Sequence, residues 1–302
     1  MGAKVLGSGL AGPWRRFRSA VGVAVLVIAG VVGSTSVGAA ALPLLRGEGV
    51  LPHHDSVGAA ALPLLRGRGV LPPHNPGRSL YPRPDFLDAR ACQGGKDTAA
   101  CNQLVLAAVS SARRGLERMG PMRFNLAAYL RLSRDEQLFV TVNIERVARG
   151  LPPATALSRR LDAIAQQAAR AGRDPSLGRL LGSRLAGGGL VIRAGGNWAS
   201  GYDNPLGSDY GWMYYDGPGG GDGYCNATGT GCWGHRDNIL ARYGSPSQCP
   251  SHRFETVMGA GFVGRGVADG DSETELLVGL CGPPAADTVF TWKKAKHLLK
   301  IG

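Results

Sequence analysis

Between Gly187 and Gly231 the chain carries 15 glycines, and that run constrains the fold more than any other feature. Glycine loses the most conformational freedom on ordering and gives a core no side chain, so the stretch reads as loop. The reading is strongest over Gly217-Pro218-Gly219-Gly220-Gly221-Asp222-Gly223. Order is expected to resume at Trp233. Asn238-Ile239-Leu240-Ala241-Arg242-Tyr243 before Gly244 predicts a short helix with a glycine stop. The stretch Gly231-Cys-Trp-Gly-His-Arg-Asp-Asn-Ile-Leu240 thus sets a histidine near a helix start, beside an aromatic, an arginine and a cysteine. A site is expected there.

The six cysteines contain no CxxC pair and no spacing typical of structural zinc. Proximity along the chain favours Cys92–Cys101, Cys225–Cys232 and Cys249–Cys281, because short loops close at little entropic cost. Disulfides suit export, and the N-terminus points the same way. Arg15, Arg16 and Arg18 precede an apolar run from Ala20 to Gly33, and Ala39-Ala40-Ala41 offers a small-residue cleavage site. Residues 1–41 therefore read as a secretory signal peptide. The alternative is a membrane anchor, since Ser19 to Leu45 holds no charge. Secreted and membrane-anchored localisation follow respectively. The net charge is +12, of which residues 1–80 supply half, and no basic run interleaved with aromatics marks a nucleic-acid surface.

A 20-residue unit is duplicated in tandem: Ser36–Val50 recurs as Ser56–Val70. Two copies are too few for a solenoid, and proline and glycine break every run. Residues 42–91 are therefore expected to be a disordered spacer, with His53, His54 and His74 solvated. The folded domain is expected over 92–292. Its helices are predicted at Thr98–Met119, after the capping box Ser133-Arg-Asp-Glu136, at Thr155–Ala171 and, in a short piece, at Ser176–Leu185. Strands are predicted at Leu190–Arg193, Thr256–Val263, Glu275–Leu280 and Thr288–Trp292. Helices first, then strands, argue for an α+β domain. Residues 293–302 hold four of the six lysines and read as a basic tail, either frayed or an amphipathic stub.

Several motifs together resemble a known family. Asn143-Ile-Glu-Arg146 followed by Gly150-Leu-Pro-Pro153 is similar to the N-x-x-R…G-L-x-P pattern of the CAP superfamily of SCP-like secreted proteins. Gly195-Gly196-Asn197-Trp198-Ala199 falls where that family has G-E-N-x-A. Gly234-His-Arg-Asp-Asn-Ile-Leu240 resembles the G-H-R-x-N-I-L signature of its bacterial members, and Met258-Gly-Ala-Gly261 its glycine-rich strand. The resemblance covers about 135–282 and implies a three-layer α-β-α sandwich around a small antiparallel sheet. A complete family pocket presents two histidines and two acidic groups. Here only His235 corresponds: no histidine occurs from Asn75 to Gly234, and Gly196 replaces the glutamate. Asp216 is the candidate for one acidic group.

Two functions follow. The first is a secreted, non-catalytic binding module at the envelope. Its degenerate pocket would be built from His235, Asn197, Trp198, Tyr215, Asp216 and Trp233, taking an envelope lipid, glycan or protein, with no cofactor or metal and no nucleic acid. The second is a peptidase-like hydrolase in which His235 is the general base, Asp216 orients it, and Ser200, Ser208 or water attacks. No G-x-S-x-G elbow supports the second, and a metal at His235 would need His252 or His297 from distant segments. Asn226-Ala-Thr228 has the form of a glycosylation sequon. A monomer is expected.

Overall fold

A computed structural model of the protein describes residues 74–93, 97–202, 204–221, 225, 232–267 and 270–301. The expected signal peptide or anchor, the duplicated unit, His53, His54 and the Asn226 sequon lie outside them.

Helix starts follow their caps. α1 (Ala99–Glu117) begins where the Thr98 hydroxyl accepts the Cys101 N–H, and α2 (Leu126–Tyr129) where Asn125 accepts from Ala128. α3 (Arg134–Ala148) opens on the expected capping box, Ser133 and Glu136 each satisfying the other's backbone donor. Residues expected as one helix from Thr155 divide instead into β1 (Ala156–Ser158) and α4 (Arg159–Ala171). The cause is local: Ser158 caps α4, while β1 finds strand partners.

β2 (Leu190–Ser200), β3 (Phe254–Val267), β4 (Gly270–Cys281) and β5 (Thr288–Thr291) complete a five-stranded sheet in the order β2-β4-β3-β1-β5. β1 runs parallel to β3, so the sheet is mixed where an antiparallel one was expected. The remaining pairings are antiparallel. The fold class is α+β.

Alternation along the strands sends successive side chains to opposite faces. On one face Val257, Leu276 and Val278 pack with Leu161 and Ala165 of α4. On the other, Met258, Ala260 and Leu277 meet Val105 and Val109 of α1, Val142 of α3, and Leu206 of α5 (Pro205–Tyr210). Helices therefore cover both faces. α4 lies so close that a Cβ at Gly259 would stand 2.3 Å from the Leu161 carbonyl carbon, and one at Gly261 2.3 Å from the Gln166 nitrogen. Bare backbone at these two positions is what admits the helix.

Three expectations need correction. The glycine-rich stretch is not all loop: it contains β2, α5 and a π-helical turn at Gly211–Tyr215. Residues 176–185 form no helix: they make a turn at 178–182 and an isolated antiparallel bridge from Arg184 to Leu190, with Val191 donating to Ser183 and Leu185 to Gly189, which ties the segment to β2. Residues 293–302 are largely the body of α7 (Trp292–Leu299), not a frayed tail. Trp292, Ala295 and Leu299 are buried, and Asn125 N–H donates to Leu299 O at 3.0 Å. The last part of the expected spacer also packs. Leu80 N–H donates to Tyr214 O at 2.8 Å, and the buried Phe86 ring meets Tyr210 edge-on at 5.3 Å. Further bonds from Asn75 to Asp237, from Ser79 N–H to Pro218 O and from the Tyr210 hydroxyl to Leu80 O tie the same segment to the domain.

The three cysteine pairs expected from proximity, Cys92–Cys101, Cys225–Cys232 and Cys249–Cys281, are all bonded. They suit an extracellular or secreted protein. Among the described residues no helix is long and apolar enough to cross a membrane.

Candidate functional site: a histidine between two carboxylates

α6 (Gly234–Leu240) begins four residues before the expected helix and ends at Leu240, where Ala241 is already extended, so Gly244 is not its stop. Trp233 lies in the left-handed region at φ 63° and His235 in the first turn. It is held from below by the N-x-x-R pair of α3. Arg146 donates through Nη1 to the carbonyls of Ile239 at 2.6 Å and Ala241 at 3.0 Å, and through Nε to Pro152 O at 3.0 Å. The Ile239 and Ala241 carbonyls are among those that a helix end leaves without partners. Asn143 exchanges two bonds with Ala154, of 2.7 and 3.1 Å, and so fixes the turn after α3. Arg236 points inward, donating to Met213 O at 2.6 Å and pairing with Glu117. Glu117 also pairs with Arg149, and Arg149 with Glu145, which in turn holds Arg113 at 2.7 Å and the Tyr214 hydroxyl at 2.8 Å. These arginines hold the Glu117 and Glu145 carboxyls below the usual range against the opposing push of burial.

His235 takes the opposite direction, toward solvent. Its backbone N–H donates to Asp216 Oδ2 at 3.1 Å, and its Nδ1 lies 2.8 Å from Asp216 Oδ1. On the far side, Nε2 faces Asp174 Oδ1 at 3.6 Å, an ion-pair distance. The same Asp174 oxygen accepts the Trp198 backbone N–H at 2.8 Å. Burial alone would lower the ring's pKa, but Asp174 and Asp216 outweigh it and raise it to about 10. The imidazole is therefore a cation at neutral pH.

Beneath it lies a second polar layer. Asn197, fully buried opposite Glu275 in the β2–β4 ladder, donates to His235 O at 2.9 Å and to Glu275 Oε1 at 2.8 Å. Asn238 donates to Asn197 Oδ1 at 2.8 Å and to Gly196 O at 3.1 Å. Burial pushes Glu275 up to about 8. The glycine at 196 has a spatial reason: a Cβ there would meet Pro175 Cγ at 2.4 Å, on the face opposite Asn197. The acidic group beneath this site is Glu275, contributed by the neighbouring strand.

The ring opens on a cleft of about 420 Å³. Of the expected residues, His235, Asp216, Trp198 and Tyr215 line it, together with Tyr202 and Trp212. Asn197 and Trp233 do not; both are buried behind it, Trp233 packed where a Gly217 side chain would stand. The aromatic wall is fixed, since Trp198 Nε1 donates to Ser272 Oγ at 2.7 Å and Trp212 Nε1 to Trp198 O at 3.1 Å. Ser200 lines the cleft, Ser208 is buried on α5, and His252 and His297 lie elsewhere. Among the described residues no three His, Cys, Asp or Glu side chains are arranged to hold a metal ion. Sequence reasoning missed Asp174 and Glu275, which reach the site from a loop and a strand far away in the chain. Comparison with protein-family models, with curated proteins and with solved structures gives no match.

Proposed function

We propose that the domain is a secreted, non-catalytic binding module of the CAP type, whose ligand, a saccharide, occupies the His235 cleft. The observation that carries this reading is geometric: both ring nitrogens of His235 face carboxylates, Nδ1 at 2.8 Å from Asp216 and Nε2 at 3.6 Å from Asp174. Both carboxylates favour the protonated ring, which has no lone pair for a substrate proton. It is a donor and a fixed charge. The cleft around it combines flat aromatic faces with carboxylates and backbone groups, which suits the apolar ring faces and the hydroxyls of a sugar. The motifs shared with the CAP superfamily and the three disulfides support the secreted, family-type assignment.

The test is a titration of the full chain with neutral oligosaccharides, read by tryptophan fluorescence and calorimetry. Trp198→Ala should weaken binding about tenfold, the loss of one aromatic stacking face. Hydrolysis of a peptide or ester that disappears in a folded His235→Ala variant would refute the reading in favour of a hydrolase.

A further inference from the structure

A second cavity, of about 490 Å³, lies between α4 and the chain that follows it, and it adjoins the His235 cleft. Arg173 and Asp174 line both. Its own character is different. Arg160, Arg173 and Arg179 surround it, over a floor of Ile164, Ala168 and Leu180. Its one carboxylate, Asp174, is already engaged by the Trp198 N–H and by His235. The guanidinium groups of Arg173 and Arg179 have no hydrogen-bond or ion-pair partner among the described residues, and Arg160 is anchored to Arg184 O at 2.7 Å. All three arginines are exposed and the space is half open, so their guanidinium forks are accessible to an oxyanion, and phosphate oxygens match such forks in pairs.

We propose that this cavity is a phosphate subsite, and that the ligand of the His235 cleft is a phosphate-bearing sugar spanning the two across Arg173 and Asp174. The proposal rests on the saccharide reading of the cleft and adds the anionic group. The cleft stacks the sugar on Trp198, while Arg179 and Arg160 take the phosphate one wall away.

Three probes separate the parts: glucose 6-phosphate, a neutral glucose disaccharide, and inorganic pyrophosphate, each titrated into the full chain at low and high salt. The sugar phosphate should bind more tightly than the disaccharide, with an advantage that shrinks as salt rises. Arg179→Gln, an exposed change, should weaken the sugar phosphate about tenfold, one charge-assisted contact, and leave the disaccharide unchanged. Equal affinity for the two sugars, or an Arg179→Gln variant that binds the sugar phosphate normally, overturns the phosphate subsite even if the cleft reading stands. Pyrophosphate binding that Arg179→Gln weakens, with no gain from the sugar and no effect of Trp198→Ala, keeps the oxyanion receptor and overturns the spanning ligand. Absence of binding by all three probes overturns both readings.

Discussion

Replacing Asp216 by asparagine tests the electrostatics of the site most directly. The buried Asp216 carboxylate accepts both the backbone and ring N–H groups of His235. Asparagine keeps an acceptor of similar shape and removes the charge. A histidine whose pKa is raised on folding adds stability that is complete below the unfolded value and disappears as pH climbs through the folded one. For His235 that window runs from about 6.5 to about 10. At about 1.4 kcal/mol per pH unit the whole window corresponds to roughly 5 kcal/mol. Asp174 contributes part of it, but its side chain is 57% exposed and screened by solvent. About 2–3 kcal/mol then falls to Asp216. Asp216→Asn should accordingly destabilise the domain by about that amount at pH 6 and by much less at pH 10. Urea denaturation at the two pH values measures the difference, and the NMR shift of the His235 ring protons follows the titration. A wild-type ring that titrates near 6.5, or a penalty equal at both pH values, would refute the reasoning.

Three further outcomes are expected. Arg146→Ala leaves the Ile239, Ala241 and Pro152 carbonyls without their donor and should cost about 3–5 kcal/mol in chemical denaturation. Gly259→Ala forces a methyl into the backbone of α4 and should lower stability by about 1–3 kcal/mol, read as a fall in Tm. Burial raises Glu273 and Glu275 to about 8 and Asp162 to about 7, so the folded chain binds more protons than the unfolded one from about pH 4.5 upward. Stability should therefore decline from pH 5 to pH 9, and Glu275→Gln, which keeps the acceptor for Asn197, should raise Tm at pH 9 and change little at pH 5.

Local rules carried the helices and spatial ones carried the site. Ser133 and Glu136 announce α3 because a cap is made within four residues of itself, and the cysteine pairs were legible for the same reason of short separation. Glycine misled. Gly195 and Gly196 look like loop formers, yet they sit in β2, where the Tyr243 ring hydroxyl and Pro175 press on the backbone, while the glycines of β3 were legible as strand. Composition alone does not separate a glycine that frees the chain from one that makes room for another element. The partners of His235 come from three places: Asp216 after the π-helical turn, Asp174 after α4, and Asn197 on β2. Nothing in Gly172-Arg-Asp-Pro175 marks Asp174, because its relation to His235 exists only once the sheet has brought the two segments together.

Asp216 also has an architectural role, since it closes the chain on itself. Its carbonyl accepts the Trp233 N–H at 3.3 Å while its carboxylate accepts from His235, so the two ends of the intervening stretch are pinned to one residue. Helix α6 owes its position to Arg146 and Asn197, and neither belongs to that stretch. The placement of His235 is thus fixed by Asp216, Arg146 and Asn197, all of them outside the segment that joins Asp216 to Trp233 along the chain. A change in the sequence of that connection that keeps Cys225 for its bond to Cys232 is therefore expected to leave the ring between its two carboxylates.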